Sequence, residues 1–316
     1  MNKICITGAN GFIGRSICKS FKNSNVHIRA FSRNKNLQIK SNNIEFIKID
    51  DFMNTKWKDL VYGYDCIVHC AGLVPSNYEK NKFKDYSLIN IEGTSYLAKQ
   101  CAKANVKKFI FLSSINVLGS NTNFNRPFIY NDEPKPITDY GLSKLEAEKQ
   151  LKKISQETGL EVVIIRPPIV YGPSASGNLK RLIKLVNSGI PLPFKNIRNQ
   201  RSLLGISNLV DVIKLCIENP NAAGKTFLVS DGEDLSTPEL INHIASALGR
   251  SSKLFFIPEF VLKIISKILR KEGEMDRLLG SLQVDINFTC KVLNWKPSAK
   301  VAEEIKRMVQ NNETLI

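Results

Sequence analysis

The sequence predicts an α/β fold in which a doubly wound parallel sheet is followed by a smaller, mostly helical C-terminal domain. Short β-branched runs alternate with longer helical patterns as far as about residue 170. These runs are apolar on both faces, as strands covered by helices on both sides of a sheet must be. A glycine-rich turn directly follows the first run, where doubly wound folds bind nucleotides.

Six runs in this first part are predicted to be strands: Ile4–Thr7, Val26–Phe31, Ile44–Ile49, Cys66–Cys70, Phe109–Ser113 and Val162–Arg166. Helical patterns lie between them, among them Tyr86–Ala104 and Gly141–Thr158. Alternation of this kind is typical of a doubly wound α/β domain, the Rossmann fold.

The pattern changes after Pro167-Pro168. Strands are predicted at Ser202–Ile206 and Thr226–Val229, and helices at Asn208–Glu218, Pro238–Leu248, Glu259–Arg270 and Ala299–Gln310. We therefore expect residues 1–170 to bind a dinucleotide and residues 171–316 to form a substrate-binding domain, and we allow for the chain crossing back to the first domain.

The helix over Phe260–Arg270 is amphipathic and invites two interpretations. Its apolar residues lie among basic ones, a combination that a helix lying on a membrane surface can have. The interpretation we favour is a cap helix that packs its apolar face on the core.

The net charge of +16, from 45 basic and 29 acidic residues, raises nucleic acid and membrane surfaces as partners. The lysines are spread along the whole chain without a basic tail, so we expect no nucleic-acid binding. A basic surface also attracts an anionic small substrate such as a nucleotide-sugar.

The seven cysteines are scattered and never spaced C-x-x-C, which suits a reducing compartment, and the three histidines are not spaced as metal ligands. We therefore expect no metal. No apolar stretch approaches the ~20 residues of a membrane helix, and no secretion signal is readable. We expect a cytoplasmic protein without stable membrane insertion.

The glycine-rich turn has the spacing G-x-x-G-x-x-G and opens the first helical pattern. Glycines there let backbone N–H groups approach a pyrophosphate at the positive end of a helix. The turn predicts a dinucleotide site that includes Gly8, Asn10, Gly11, Phe12, Ile13 and Gly14.

The ends of the next three strands predict the rest of the cofactor site. An NAD enzyme places an acid after the second strand to bind the ribose, but this chain has Ser32 and Arg33, which can hold the 2′-phosphate of NADP. We therefore favour NADP over NAD. After the third and fourth strands, respectively, the predicted contacts are Asp51 with Phe52, and Ala71 with Gly72.

Tyr140 and Lys144 are four residues apart in a helical pattern, so their side chains share one face. A nearby ammonium lowers the pKa of a phenol toward the working range of an acid or base. A second pair with the same spacing, Tyr78 and Lys82, shows that spacing alone does not identify the catalytic tyrosine and lysine. We choose Tyr140 and Lys144 because they follow the fifth strand. That strand ends in Ser113-Ser114, and spacing alone does not choose between the two serines.

Several motifs together resemble the extended short-chain dehydrogenase/reductases, in the family's order over nearly the whole chain: Gly8–Gly14, Asn90–Thr94, Ser113–Gly119, Tyr140–Lys144 and Arg166–Pro173. The resemblance implies that Ser114, Tyr140 and Lys144 are catalytic and that Tyr140, Lys144 and Pro167 also contact the cofactor. It further implies substrate contacts from Ser114, Asn178, Arg201 and Arg277, with the two arginines on a nucleotide diphosphate.

Within that family the chain looks most like enzymes acting at carbon 4 of a UDP-hexose in bacterial surface-polysaccharide synthesis. Leu118 departs from the tyrosine usual in the family. Ile115-Asn116 departs from the Asp-Glu of the dehydratases, which argues against dehydration. We favour NADPH-dependent reduction of a UDP-4-keto-6-deoxy-N-acetylhexosamine, since no acid follows the second strand. The alternatives are a UDP-glucose or UDP-N-acetylglucosamine 4-epimerase with retained NAD, and a non-catalytic NADP-binding protein. The family often forms homodimers.

Overall fold

The computed structural model describes residues 1–33, 39–75, 83–175, 177–268 and 272–313. The pair Tyr78 and Lys82 lies outside these ranges. The strands are β1 (Lys3–Thr7), β2 (His27–Ser32), β3 (Ile44–Lys48), β4 (Cys66–His69), β5 (Lys108–Leu112), β6 (Glu161–Arg166), β7 (Ile169–Tyr171), β8 (Arg201–Gly205), β9 (Thr226–Leu228) and β10 (Asp234–Leu235).

The α-helices divide between the two parts of the sequence. They are α1 (Phe12–Ser20), α2 (Trp57–Val61), α3 (Phe83–Tyr86), α4 (Thr94–Lys103), α5 (Asp139–Thr158), α6 (Asn178–Asn187), α7 (Ile206–Glu218), α8 (Thr237–Ala247), α9 (Glu259–Ile268), α10 (Glu272–Leu279), α11 (Asn287–Leu293) and α12 (Val301–Glu313).

Seven strands form one sheet in the order β3-β2-β1-β4-β5-β6-β9, and every neighbouring pair is parallel. The predicted doubly wound sheet is confirmed. Successive residues of a strand point to opposite faces, so Ile4 and Ile6 enter one apolar layer and Cys5 enters the other. The strand order reverses between β1 and β4, which is where such sheets bind ligands.

The helix predicted over Tyr86–Ala104 is interrupted. Residues Ser87–Gly93 form a π-helical segment between α3 and α4. A π turn widens the helix by one residue, and such turns are frequent at functional sites. Here it carries Asn90, whose side chain is buried next to the candidate site.

The second part of the chain contains a small sheet and a separate helical core. Strands β10, β8 and β7 form a three-stranded sheet. Helices α6, α8 and α12 bury Ile183, Ile244 and Ile305 in one apolar cluster. The C-terminal region is mostly helical, as predicted.

The chain crosses back to the first sheet at two places. Strand β9 pairs in parallel with β6, and α7 packs Leu209 and Ile213 into the same apolar layer as Ile17 of α1. Lys108 at the start of β5 secures α7, since its ammonium donates to the carbonyls of Cys216 at 2.9 Å, Ile217 at 3.1 Å and Asn219 at 3.1 Å. A cation at a helix C-terminus satisfies carbonyls that lack partners within the helix.

Helix α9 departs from the packing that we favoured. It buries Leu262 and Ser266, whereas Phe260, Ile264 and Ile268 face solvent. The expectation that its apolar face packs on the core is therefore wrong for most of that face. Within the described ranges, none of the helices is both long and apolar enough to cross a bilayer.

Candidate active site

The glycine-rich turn forms a backbone cradle that side chains would fill. Gly8 has φ +66°, and a Cβ built on it would lie 2.8 Å from the backbone nitrogen of Ala71. A Cβ on Gly14 would lie 2.3 Å from the carbonyl oxygen of Gly8, so α1 can approach β1 only with glycine there. Gly11, which precedes α1, has no side-chain cap to offer its first N–H groups. This geometry fits a dinucleotide pyrophosphate.

A cleft of about 590 Å³ opens above the carboxyl ends of the strands. It is lined by nine of the residues predicted to bind the cofactor: Gly8, Asn10, Gly11, Ser32, Arg33, Asp51, Phe52, Ala71 and Gly72. These residues come from four different strand ends, and the parallel sheet brings them to one edge. The cleft has the place and the backbone that a dinucleotide requires.

Six other predicted cofactor residues are not among those lining this cleft: Phe12, Ile13, Gly14, Pro167, Tyr140 and Lys144. Phe12 faces a second groove, of about 700 Å³, between α1 and α7, and Ile13 packs against the core. Gly14 is buried against Gly8, while the carbonyl of Pro167 accepts a hydrogen bond from the Ile115 N–H at 2.9 Å. Contact of these residues with a cofactor stays a prediction.

The end of the cleft beside β2 and β3, where a ribose is predicted to bind, carries both a cation and carboxylates. Arg33 lines it after β2, and Asp50 and Asp51 line it after β3. The Asp51 carboxylate accepts hydrogen bonds from the backbone N–H groups of Met53 and Asn54 and from the Asn54 amide. Hydrogen bonds from Asn54 lower the pKa of Asp51, so this wall of the cleft is anionic at neutral pH.

His69 is a buried structural residue at the floor of the cleft. Its Nδ1 hydrogen-bonds the Thr7 hydroxyl at 2.7 Å and its Nε2 hydrogen-bonds the Thr94 hydroxyl at 3.0 Å. Burial lowers the pKa of His69 to about 3, with a smaller contribution from the charge of Lys144. The imidazole is neutral at physiological pH and ties β1 and β4 to α4.

The structure distinguishes the two serines at the end of β5. Ser113 donates its hydroxyl to Glu148 at 2.5 Å, inside a buried ion pair in which Arg166 reaches the same carboxylate at 3.0 and 2.6 Å. Ser114 instead hydrogen-bonds the Tyr140 phenol, and its oxygen accepts from the Asn116 N–H at 3.2 Å. Of the two serines, Ser114 is therefore the one that interacts with Tyr140.

Helix α5 presents Tyr140 and Lys144 one turn apart near its beginning. The Thr138 hydroxyl accepts from the Gly141 N–H and caps the helix, which begins at Asp139. The Lys144 ammonium donates to the Leu112 carbonyl at 2.8 Å and lies 4.6 Å from the centre of the Phe111 ring.

The pKa values of this pair differ from the expectation that Lys144 lowers the pKa of Tyr140. Burial raises the pKa of the Tyr140 phenol to about 12, against a smaller lowering by the Ser114 hydrogen bond. Burial also lowers the pKa of Lys144 to about 8. The Lys144 ammonium bonds the Leu112 carbonyl rather than the phenol, so in this arrangement it does not lower the pKa of Tyr140.

Gly72 lies between the candidate cofactor cleft and the predicted catalytic residue Lys144. A Cβ on Gly72 would lie 3.1 Å from the Asn90 amide oxygen and 3.4 Å from the Lys144 nitrogen. Asn90 holds the adjoining loop, accepting from the Leu73 N–H at 2.7 Å and donating to the Leu73 carbonyl at 3.0 Å and the Ser143 hydroxyl at 3.1 Å. Sequence reasoning had assigned no role to Asn90, although it lies in one of the family motifs.

The candidate substrate residues come from the second part of the chain. Arg201 donates to the Gly280 carbonyl at 2.9 Å, and its pKa is lowered to about 10 by burial and then by the charge of Arg277. The two guanidiniums are therefore close enough to repel each other, as expected of a pair that an anion would bridge. Asn178 is exposed at the start of α6.

Comparisons with known proteins show the family to which this chain belongs. The model of the NAD dependent epimerase/dehydratase family matches residues 4–230. A Vibrio cholerae protein named UDP-glucose 4-epimerase is 41% identical over 310 residues, covering 97% of this chain and 94% of that protein.

Two solved structures share the fold. UDP-glucuronic acid 4-epimerase from Bacillus cereus in complex with NAD has a TM-score of 0.82 at 23% identity, covering 99% of each chain. UDP-N-acetylglucosamine 4-epimerase from Methanobrevibacter ruminantium has a TM-score of 0.82 at 20% identity, covering 100% of this chain and 99% of the other. The chain belongs to the NAD dependent epimerase/dehydratase family, the extended short-chain dehydrogenase/reductases.

Proposed function

We propose that this enzyme is a 4-epimerase of a UDP-hexose or UDP-N-acetylhexosamine, working with a retained NAD. The observation that carries the proposal is the Ser114–Tyr140 hydrogen bond beside Lys144, next to the dinucleotide cleft. A hydroxyl and a phenol in contact can address one substrate oxygen together. The identity with the Vibrio cholerae protein supports epimerisation as the outcome.

The side chains would move the proton at the sugar 4-oxygen. Tyr140 accepts the 4-hydroxyl proton and later returns it, while Ser114 hydrogen-bonds the same oxygen as it becomes a carbonyl. A nicotinamide held in the cleft would supply the hydride chemistry at C4, accepting a hydride there and returning it. With a pKa of about 12, the phenol holds its proton at neutral pH and needs a cation nearby to act as a base. Lys144 can supply that charge if its ammonium leaves the Leu112 carbonyl.

The diphosphate of the substrate would be held by Arg201 and Arg277. Arg201 is anchored on the Gly280 carbonyl, which leaves part of its guanidinium to bind an anion. A bridging diphosphate would replace the repulsion between the two guanidiniums by attraction. Asn178 is the proposed contact of α6 with the remainder of the nucleotide-sugar.

The second candidate function is NADPH-dependent 4-reduction, which the sequence analysis favoured and which stays a prediction. It is favoured by Ser32 and Arg33 at the ribose end of the cleft. Against it, Asp50 and Asp51 line the same cleft and would repel a 2′-phosphate. For this reason we place NAD before NADP.

The test is to denature the purified protein, identify the released nucleotide, and assay UDP-glucose and UDP-N-acetylglucosamine without added cofactor. Stoichiometric NAD and interconversion of the 4-epimers, with unchanged mass, are expected. Tyr140→Phe should lower kcat by about 10²- to 10⁴-fold, and Tyr62→Phe on the exposed surface should not. Net reduction that consumes NADPH would establish the second candidate instead. If no substrate turns over and Tyr140→Phe alters no cell-surface sugar, the protein is a non-catalytic dinucleotide binder.

A further inference from the structure

We propose that α9 and the loop before it dock this protein on an anionic lipid surface. The α9 face consists of Phe256, Phe260, Ile264 and Ile268. Their exposed fractions are 56%, 66%, 54% and 75%, respectively. Single exposed apolar residues are ordinary on protein surfaces, but four large ones side by side mark an interaction site.

Helical geometry places three of these side chains in one continuous row. Phe260, Ile264 and Ile268 follow each other at four-residue intervals, so they lie along one side of α9. The opposite side is held by Leu262, which is buried in the C-terminal apolar cluster, and by Ser266, which is buried and donates to the Lys263 carbonyl at 2.8 Å. The helix therefore turns its more apolar side outward.

The charges around the α9 face complement an anionic surface. Residues 250–268 contain four basic side chains, Arg250, Lys253, Lys263 and Lys267. They contain one acidic side chain, Glu259, whose carboxylate pairs with the Lys263 ammonium at 2.9 Å. All four basic residues are exposed. Lys263 and Lys267 lie in the helical row next to the apolar one, so they border it along its length. An apolar row bordered by lysines is typical of helices that lie in the plane of a bilayer interface.

These charges also favour lipid over a second copy of the chain. A symmetric dimer through the α9 face would bring Lys263 and Lys267 of both copies together, and each copy carries a net charge of +16. An anionic leaflet neutralises the same cations and attracts the whole protein. In this proposal α9 lies in the interface of the bilayer and does not span it.

The α9 face adjoins the candidate substrate site without belonging to it. Helix α9 packs against α10, which carries Arg277. Docking would therefore hold the diphosphate end of the site near the membrane surface. It does not depend on which reaction the enzyme catalyses, so failure of one proposal leaves the other standing.

The experiment is flotation of the purified full-length protein with vesicles of phosphatidylcholine alone and with about one-third phosphatidylglycerol. The wild type should float with the phosphatidylglycerol vesicles and be released by high salt, since the attraction is partly ionic. Phe260→Ser with Ile264→Ser should weaken binding about tenfold or more. Lys263→Glu with Lys267→Glu should weaken it to a similar degree.

The matched control replaces two apolar residues of similar exposure elsewhere, Tyr62→Ser with Ile190→Ser, which should bind vesicles as the wild type does. Circular dichroism and the enzymatic rate would verify that each variant is folded. The proposal is overturned if the wild type does not float with anionic vesicles, or if the α9 variants float equally well. It is also overturned if the wild type is a dimer without lipid and Phe260→Ser with Ile264→Ser makes it monomeric.

Discussion

The hydroxyl of Ser113 is bound to the carboxylate of Glu148 at 2.5 Å, in the buried ion pair that this carboxylate forms with Arg166. Its sequence neighbour, Ser114, hydrogen-bonds Tyr140 instead. The two adjacent serines therefore have different partners, one within the core and one in the candidate active site.

The two serines should respond differently to replacement by alanine. Ser114→Ala removes a donor aimed at the reacting oxygen and should lower kcat by about 10²- to 10³-fold. Its free energy of unfolding should fall by less than that of Ser113→Ala, because no buried charge loses a donor. Ser113→Ala leaves a buried carboxylate oxygen short of a donor and should destabilise the protein by about 1–3 kcal/mol. Initial rates and urea unfolding of both variants measure this, and equal losses of rate would contradict the assignment.

Burial of Lys144 should make stability depend on pH. Its pKa is lowered from its ordinary value of 10.5 to about 8, chiefly by burial. Between these values the unfolded chain binds more protons than the folded protein, so stability rises with pH there. The cost to folding of burying the charged Lys144 is fully present below pH 8 and amounts to about 3 kcal/mol.

Comparison with Lys144→Met isolates this contribution, because the other titrating groups are common to both proteins. Relative to the wild type, the variant should gain stability at pH 7 and lose that advantage progressively between pH 8 and pH 10, as urea unfolding would measure. Lys149→Met, at an exposed position of the same helix, is the control. Its free energy of unfolding should differ from that of the wild type by an amount that does not change with pH. The prediction would be refuted if the difference in free energy of unfolding between Lys144→Met and the wild type did not change with pH.

The arginine pair should show opposite effects on the free and the UDP-bound protein. Arg277→Ala removes a repulsion from Arg201 and should leave the thermal stability of the free protein equal or slightly higher. The same change should weaken UDP binding by about ten- to a hundredfold, because a charge-assisted hydrogen bond is lost. Thermal shift with increasing UDP measures both effects. If UDP stabilises the variant as much as the wild type, Arg277 is not part of the subsite.

The ribose end of the cleft should control cofactor preference. Ser32→Asp places a carboxylate at the end of β2, where it can bind the ribose hydroxyls and repel a 2′-phosphate. The ratio of NAD to NADP affinity should rise about tenfold or more. Arg33→Ala should weaken NADP binding only if the guanidinium holds a 2′-phosphate. Calorimetric titration of the nucleotide-free protein with both cofactors decides this, and a larger effect on NAD would argue against the proposed position of the ribose.

The sequence alone was sufficient to predict the sheet, the glycine-rich turn and nine of the residues that line the cleft. Their contact with a cofactor stays a prediction. These features depend on local patterns: a strand that is apolar on both faces, a turn that tolerates only glycine, and a polar residue at a strand end. Parallel strands in a doubly wound sheet then bring those ends together without further information.

Only the tertiary structure decided the features that depend on distant contacts. Ser113 and Ser114 are equivalent by spacing, and the core ion pair with Arg166 separates them. The orientation of α9 is set by Leu262, which packs in the C-terminal apolar cluster. The pairing of β9 with β6 joins residues that are 62 positions apart in the sequence, such as Ile164 and Thr226. The high pKa of Tyr140 likewise follows from burial. Periodicity shows that a helix has an apolar side, but the long-range packing of the whole chain determines which side is covered.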